Sequence, residues 1–294
     1  MENEFKEIGN TPLLRLAKLE TYFNTTCKLY GKYEAKNMTG SIKDRAALYM
    51  VMDLINNHGL KKGDAIIEAT SGNTGISLAA IGQVLGLHVI IVMPASMSIQ
   101  RREKMLAYGA DLRLINGGMA ECHEEAERLN KEIKGSFIIG QFENPNNIKA
   151  HIKTTGPELE KQLDNIDYIF AGFGTGGTVT GLSQYFKNKV KVVAIEPMQS
   201  PLITKGSAGK HLIQGIGANF VPDNFKKDNL ADVISVDDKT SLEYARLINE
   251  KEDVFVGFSS GAALLGAINY IKEHKLENKN IVIIFPDKGD RYSW

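Results

Sequence analysis

The sequence predicts an α/β protein of two doubly wound domains with mostly parallel sheets and an active site between them. Two observations carry that prediction. Short β-rich runs recur between helical patterns along the chain, and most are continuously apolar rather than alternating, as strands buried on both faces of a parallel sheet are. Several strand-to-helix junctions are polar and glycine-rich, and ligand sites in open α/β sheets lie beyond the carboxyl ends of the strands.

In chain order the strand runs cover 65–68, 88–92, 111–115 and 136–139, then 167–171, 190–195, 233–236 and 281–285. Between Ser41 and His58 the residues Ala46, Ala47, Met50, Val51 and Leu54 fall at helical spacing, and Ala120–Lys134 and Ser241–Lys251 fit the same period. The repeated order of strand, helix and strand argues for doubly wound architecture. The turn-rich Glu143-Asn144-Pro145-Asn146-Asn147 marks the boundary, dividing an N-terminal domain over 1–145 from a C-terminal domain over 146–294.

Composition narrows the function. Lys plus Arg and Asp plus Glu each number 35, so no net basic field draws the protein to nucleic acid or an anionic membrane. The acidic start, Met1 to Phe5, lacks the apolar core of a secretory signal. The most apolar window, Ile76–Pro94, contains Gly82, Gln83, Gly86 and His88, which suits a helix, turn and strand better than a membrane span. Cys27 and Cys122 are far apart and form no C-x-x-C, so a reduced, cytoplasmic protein is expected. No His/Cys cluster has zinc spacing, and no metal is expected.

The loops carry the chemistry. Gly172–Thr178 follows a strand and opens a helix, so its unhindered amides and the helix start can wrap a phosphate, with Thr175 and Thr178 adding hydroxyls. Gly172, Gly174 and Gly177 also match G-x-G-x-x-G, and Glu196 ends the next strand, which makes a nicotinamide or flavin oxidoreductase the rival reading. Ala69–Gly75 gathers Thr70, Ser71, Asn73 and Thr74, more hydrogen-bonding groups than a helix N-cap needs, and suits a carboxylate and a polar ring substituent. A third loop is Gly257–Gly261. In Gly40-Ser41-Ile42-Lys43-Asp44-Arg45, Lys43 stands at a helix start among small residues, placed to be a reacting amine. Alone it would read as a solvated lysine. Three polar glycine loops and one such lysine fit pyridoxal 5'-phosphate better than a dinucleotide, because that cofactor needs a phosphate cradle, a Schiff-base lysine and partners for its ring oxygen and nitrogen. A hydroxyl at the ring nitrogen leaves it mostly unprotonated and favours β-elimination over transamination.

These stretches, together with Ile8-Gly9-Asn10-Thr11-Pro12-Leu13-Leu14, Met93-Pro94 through Ser98, Gln141-Phe142, Thr154-Thr155-Gly156-Pro157-Glu158, Glu196-Pro197, Ile213-Gln214-Gly215-Ile216-Gly217 and Pro286-Asp287, follow one family's order over almost the whole chain. The sequence resembles the cysteine synthase (O-acetylserine sulfhydrylase) family, within the fold-type II pyridoxal-phosphate enzymes that include cystathionine β-synthase. The resemblance implies that Lys43 is the Schiff-base lysine and proton carrier and that Asn73 meets the ring oxygen. It implies that Gly174, Thr175, Gly176, Gly177 and Thr178 hold the phosphate. Ser259 or Ser260 would meet the ring nitrogen, with Ser259 favoured. Thr70, Ser71, Thr74 and Gln141 would bind the substrate carboxylate. It further implies β-replacement through an α-aminoacrylate on a small L-amino acid with sulfide, in a homodimer with a small mobile subdomain in the N-terminal half.

Three departures stand out. The lysine loop reads Asn37-Met38-Thr39-Gly40 where the family usually has Asn-Pro, and the chain stops early at Trp294. Ala231-Asp232 precedes Val233-Ile234 where cysteine synthases commonly have Asp followed by Lys or Glu. Asp232 is therefore expected to be a general base at the rim of the site. That base would let the enzyme act on L-cysteine itself, releasing hydrogen sulfide and forming L-serine or lanthionine. The alternative is biosynthesis of L-cysteine from O-acetyl-L-serine and sulfide.

Overall fold

The computed structural model describes residues 4–97 and 99–292, so Ser98 and Trp294 lie outside the described residues. The chain opens with β1 (Leu13–Arg15), α1 (Ala17–Tyr22), β2 (Lys28–Tyr33), α2 (Lys43–His58), β3 (Ala65–Ala69), α3 (Asn73–Leu85) and β4 (His88–Pro94). It continues through α4 (Ile99–Ala107), β5 (Asp111–Ile115), α5 (Met119–Glu132), β6 (Phe137–Ile138), α6 (Asn146–Ala150) and α7 (Gly156–Gln162). The remainder is β7 (Tyr168–Gly172), α8 (Gly177–Phe186), β8 (Lys191–Pro197), α9 (Leu202–Lys205), β9 (Asp232–Val236), α10 (Asp238–Glu252), α11 (Phe258–Glu273) and β10 (Asn280–Phe285).

The strands form two sheets, in the orders β1-β2-β10-β7-β8-β9 and β5-β4-β3-β6. All pairs are parallel except β1 with β2. Strand β3 is buried at every position and β10 at all but its first, as their continuous apolar runs require. The α/β expectation therefore holds.

The sheets do not divide at residue 145. β1 and β2 belong to the larger sheet, where β2 runs parallel to β10 from Lys28 beside Asn280 to Tyr33 beside Phe285. Packing explains the exchange: a Cβ at Gly31 would stand 2.4 Å from the Phe285 ring, so glycine lets that ring lie flat on β2. The smaller sheet is built wholly from residues between Ala65 and Ile138, and the N-terminal strands are borrowed by its larger neighbour.

A buried ionic cluster pins α2 to the larger unit. Arg45 donates to Glu34 (Nε to Oε2, 2.7 Å) and to Glu158 on α7 (Nη1 to Oε1, 2.6 Å). Lys32 on β2 donates to Glu158 Oε2 at 2.7 Å, to the Thr11 carbonyl at 2.7 Å and to Gln162 Oε1 at 2.9 Å. Burial alone would raise the Glu158 carboxyl, but Arg45 and Lys32 hold it at about 2. Each charge in the cluster is met, as buried charges must be. The cluster fixes the helix whose first residue is Lys43.

Candidate active site

A cleft of about 1570 Å³ opens between the sheets at the carboxyl ends of β3, β7 and β10. Lys43 lines it from the first turn of α2. The chain before it is stitched to the end of β10: Ile42 N–H donates to the Pro286 carbonyl at 2.8 Å, and Ser41 bridges Asp287. Burial pushes the Lys43 amine down from its ordinary value, and Asp287 offsets part of that. Among the described residues no hydrogen bond or ion pair ties its Nζ. That is the state a nucleophilic or proton-accepting amine needs.

The loop after β3 supplies Thr70, Ser71, Asn73 and Thr74 to the cleft wall. Asn73, first residue of α3, is clamped at both ends of its amide. Arg291 Nη1 donates to its Oδ1 at 2.5 Å, and its Nδ2 donates to Asp287 Oδ2 at 2.6 Å. A guanidinium can only donate, so Arg291 fixes which end is oxygen and leaves the second Nδ2 hydrogen for an acceptor in the cleft. Asp287 Oδ2 also accepts from Tyr292 at 2.5 Å, whereas Oδ1 is buried with no partner among the described residues. Burial first, and then Asp287, push the Tyr292 hydroxyl far above its ordinary value, so it donates. Thr74 Oγ1 donates to Gln141 Oε1 at 2.6 Å, joining the loop to the chain that leaves the neighbouring β6. Arg101 on α4 reaches the Ser71 carbonyl at 3.3 Å and Gln214 Oε1 at 2.6 Å, spanning the mouth.

The loop between β7 and α8 is a phosphate cradle by shape. A Cβ on Gly174 would lie 2.4 Å from the Gly215 carbonyl, and Gly176 has φ +84° with Phe225 backbone 2.7 Å from its would-be Cβ. Gly174, Thr175, Gly176 and Thr178 line the cleft. Gly177 does not. It opens α8 against Asn147, whose Oδ1 stands 2.0 Å from where a Cβ would go. Asn147 Nδ2 donates to Thr175 Oγ1 at 3.0 Å, and Thr178 Oγ1 shares a 3.2 Å hydrogen bond with His151 Nε2. His151 lies in a π-helical turn over His151–Thr155, and burial, followed by Arg45, drives its ring down to about 3. The imidazole is neutral. Of the paired serines, Ser259 on α11 lines the cleft; Ser260 is outside the lining, its Oγ buried and without a partner among the described residues.

Asp232 is the correction. It is the first residue of β9, beside Val193 on β8, at the amino end of a parallel strand whose carboxyl end faces the cleft. Its Oδ1 accepts from the next residue's N–H at 2.7 Å, its charge bears on Tyr270, and it is not among the cleft-lining residues. The structure therefore does not bring Asp232 into the cleft with Lys43. Two acids do line the cleft: Asp287, which faces Lys43, and Asp238, at the start of α10, whose Oδ2 accepts from Leu212 N–H at 3.0 Å. Glu196, the ribose-binding acid of the rival reading, is fully buried and caps α9, accepting from Ile203 N–H at 2.9 Å and Thr204 N–H at 3.1 Å. No dinucleotide can reach it.

Pyridoxal 5'-phosphate fits what remains. The loop leaves no room for side chains and opens a helix whose start would favour an anion, the unpaired amine stands in the same cleft, and the clamped Asn73 amide and the Ser259 hydroxyl offer donors at separate points. Sequence reasoning passed over Arg101, Asp238, Arg291 and Tyr292; only Asp287, in the Pro286-Asp287 step, carried a visible signal.

Comparison with known proteins agrees. A family model described as pyridoxal-phosphate dependent enzyme matches residues 5–287. Cysteine synthase B of Campylobacter jejuni is 42% identical over 291 residues, covering 97% of this chain and 94% of the relative. Among solved structures, a hydrogen sulfide-producing enzyme from Fusobacterium nucleatum matches with a TM-score of 0.94 at 38% identity, covering 98% of this chain and 97% of that one. A cysteine synthase from Entamoeba histolytica matches with a TM-score of 0.93 at 36% identity, covering 99% and 90%.

Proposed function

Because the chain belongs to the pyridoxal-phosphate-dependent enzyme family, as a cysteine synthase-like member, we propose that it exchanges the substituent on Cβ of a small L-amino acid, with sulfide as one of the exchanged groups. The observation that carries this reading is the half-buried, unpaired Lys43 amine in a cleft that also holds a glycine loop shaped for a phosphate. Bound pyridoxal phosphate supplies an electron-accepting ring that draws charge from Cα. The protein does the rest. Gly174, Thr175, Gly176 and Thr178 hold the phosphate, and Gly177 starts the helix behind it. Asn73 donates to the ring oxygen and Ser259 meets the ring nitrogen. Thr70, Ser71, Thr74 and Gln141 take the substrate carboxylate. Lys43 accepts the Cα proton and returns it to the product.

O-Acetyl-L-serine and sulfide giving L-cysteine is the exchange these residues support without further help, since acetate leaves readily. A second reading, L-cysteine as the sulfide donor with water or a second cysteine attacking Cβ, is favoured by Asp238, a cleft carboxylate that can hold a proton near the exchanged group. A cytoplasmic homodimer completes the proposal, and sedimentation of the purified protein tests the assembly. Incubation with O-acetyl-L-serine plus sulfide, and separately with L-cysteine alone, tests the chemistry when products are identified by mass. Cysteine from the first supports the first reading. Sulfide with serine or lanthionine from the second supports the other, and no exchange with either contradicts both.

A further inference from the structure

Glu68 is a carboxylate with no evident business in its strand. It is 3% exposed on β3, between Ile67 and Ala69, with Ile91 as its neighbour on β4. Among the described residues no ion pair meets it, and a buried carboxylate without a cation is costly unless hydrogen bonds satisfy it. Those bonds come from one place. Oε2 accepts from Gly140 N–H at 3.0 Å and Oε1 from Gln141 N–H at 3.4 Å, and the Gln141 side chain lies beside the same carboxyl. Gly140 has φ +66°, the left-handed turn that aims two successive amides at one acceptor.

Gln141 is where the two halves of the cleft meet. Its Oε1 accepts from Thr74 Oγ1 at 2.6 Å, and its carbonyl accepts from Asn147 Nδ2 at 2.8 Å and Asn224 Nδ2 at 3.0 Å. Asn147 continues to Thr175 of the phosphate cradle at 3.0 Å. We propose that Glu68 is a positioning residue for amino-acid binding: it holds the Gly140–Gln141 turn so that Gln141 presents its amide to the substrate carboxylate and locks the Thr70–Thr74 loop to the cradle. This rests on the carboxylate-binding role given above to Gln141 and Thr74. Glu68 touches neither substrate nor cofactor; it acts through Gln141.

The test is a titration of the holoenzyme with L-cysteine at pH 8, where the Glu68 carboxyl is ionised, followed by the cofactor's visible absorbance, alongside steady-state kinetics. Glu68→Gln is expected to weaken amino-acid binding and raise KM by about ten- to a hundredfold, the effect of losing a charge-assisted hydrogen bond, while kcat stays within about threefold. Cofactor absorbance should be retained. Adding Glu68→Gln to Gln141→Ala should cost no further affinity, because both act on one contact. Unchanged affinity, a fall in kcat with KM unmoved, or multiplicative effects in the double variant would overturn the proposal. If Glu68→Gln is insoluble, Glu68→Asp keeps the charge but withdraws the oxygens by one methylene, and it should raise KM in the same sense; an unmoved KM overturns the role. The titration reads binding whether or not turnover follows. A wild type that binds without forming product counts against the reaction, not against Glu68, and one that shows no amino-acid-dependent change overturns both.

Discussion

Lys43 and Arg45 stand two residues apart on one helix and meet opposite surroundings. Arg45 is enclosed with Glu34, Glu158 and Thr11, and every charge around it has a partner. Lys43 is desolvated in the cleft with only the field of Asp287 to support its charge. A helical advance of two residues, about 200°, turns the two side chains to opposite faces. The difference separates structure from chemistry. A buried cation that is fully paired anchors the helix and titrates far from neutrality, whereas one left unpaired is a base in waiting.

Breaking the pair of environments one side at a time should give contrasting losses. Lys43→Ala should lower the exchange rate by roughly a hundred- to ten-thousandfold, as loss of a proton-transferring group does, with little change in urea midpoint. Glu158→Ala should do the reverse, costing about 3–5 kcal/mol of unfolding free energy by stranding Arg45 and Lys32, measured by urea denaturation of the cofactor-free protein. If Lys43→Ala unfolded the protein and Glu158→Ala merely slowed it, the division of labour on α2 would be wrong.

Glu68 sharpens the comparison, being buried like Arg45 yet uncompensated like Lys43. Burial, only partly opposed by the Gly140 and Gln141 amides, raises its carboxyl from 4.5 to about 7. The folded chain therefore holds that proton longer than the unfolded one. Its contribution to stability is full below about pH 4.5 and is lost as pH rises through about 7, a swing of roughly 3 kcal/mol at about 1.4 kcal/mol per unit. The stability of wild type relative to Glu68→Gln should fall by up to that amount between pH 4 and 8, read from paired denaturation curves. A difference that does not move with pH would put the Glu68 carboxyl in water. The smallest effect belongs to Asp232→Asn, which should leave sulfide release and stability unchanged within about 0.5 kcal/mol, as a substitution away from any buried network does. A large loss of sulfide release would restore Asp232 to the reaction.

Much of this was legible in the residues. The continuous apolar runs marked β3, β4, β7, β8 and β10, because burial on both faces leaves no polar alternation to confuse the period. The strands β1 and β2 were not visible: one is three residues long, and Lys-Leu-Tyr-Gly-Lys-Tyr hides a buried lysine whose partners come from residues 11, 158 and 162. That Lys43 and the glycine loop share one cleft was legible because loops at strand ends encode their own geometry. Asp232 shows the limit of such reading, because proximity to a strand does not say which end of it a residue occupies, and Asp232 opens β9. In a parallel strand the first residue faces away from the site, and the same rule points to Asp238, two residues past the end of β9. The Glu68 to Gln141 contact joins positions 73 residues apart, a separation at which a single chain carries no local signal.

Everything at the site turns on Lys43 being the amine that meets the cofactor. Purified protein loaded with pyridoxal phosphate, reduced with borohydride and digested should carry the pyridoxyl mass on the peptide containing Lys43, with the Lys43→Ala protein unlabelled there. A label on another lysine, or no bleaching of the visible band on reduction, would contradict the assignment.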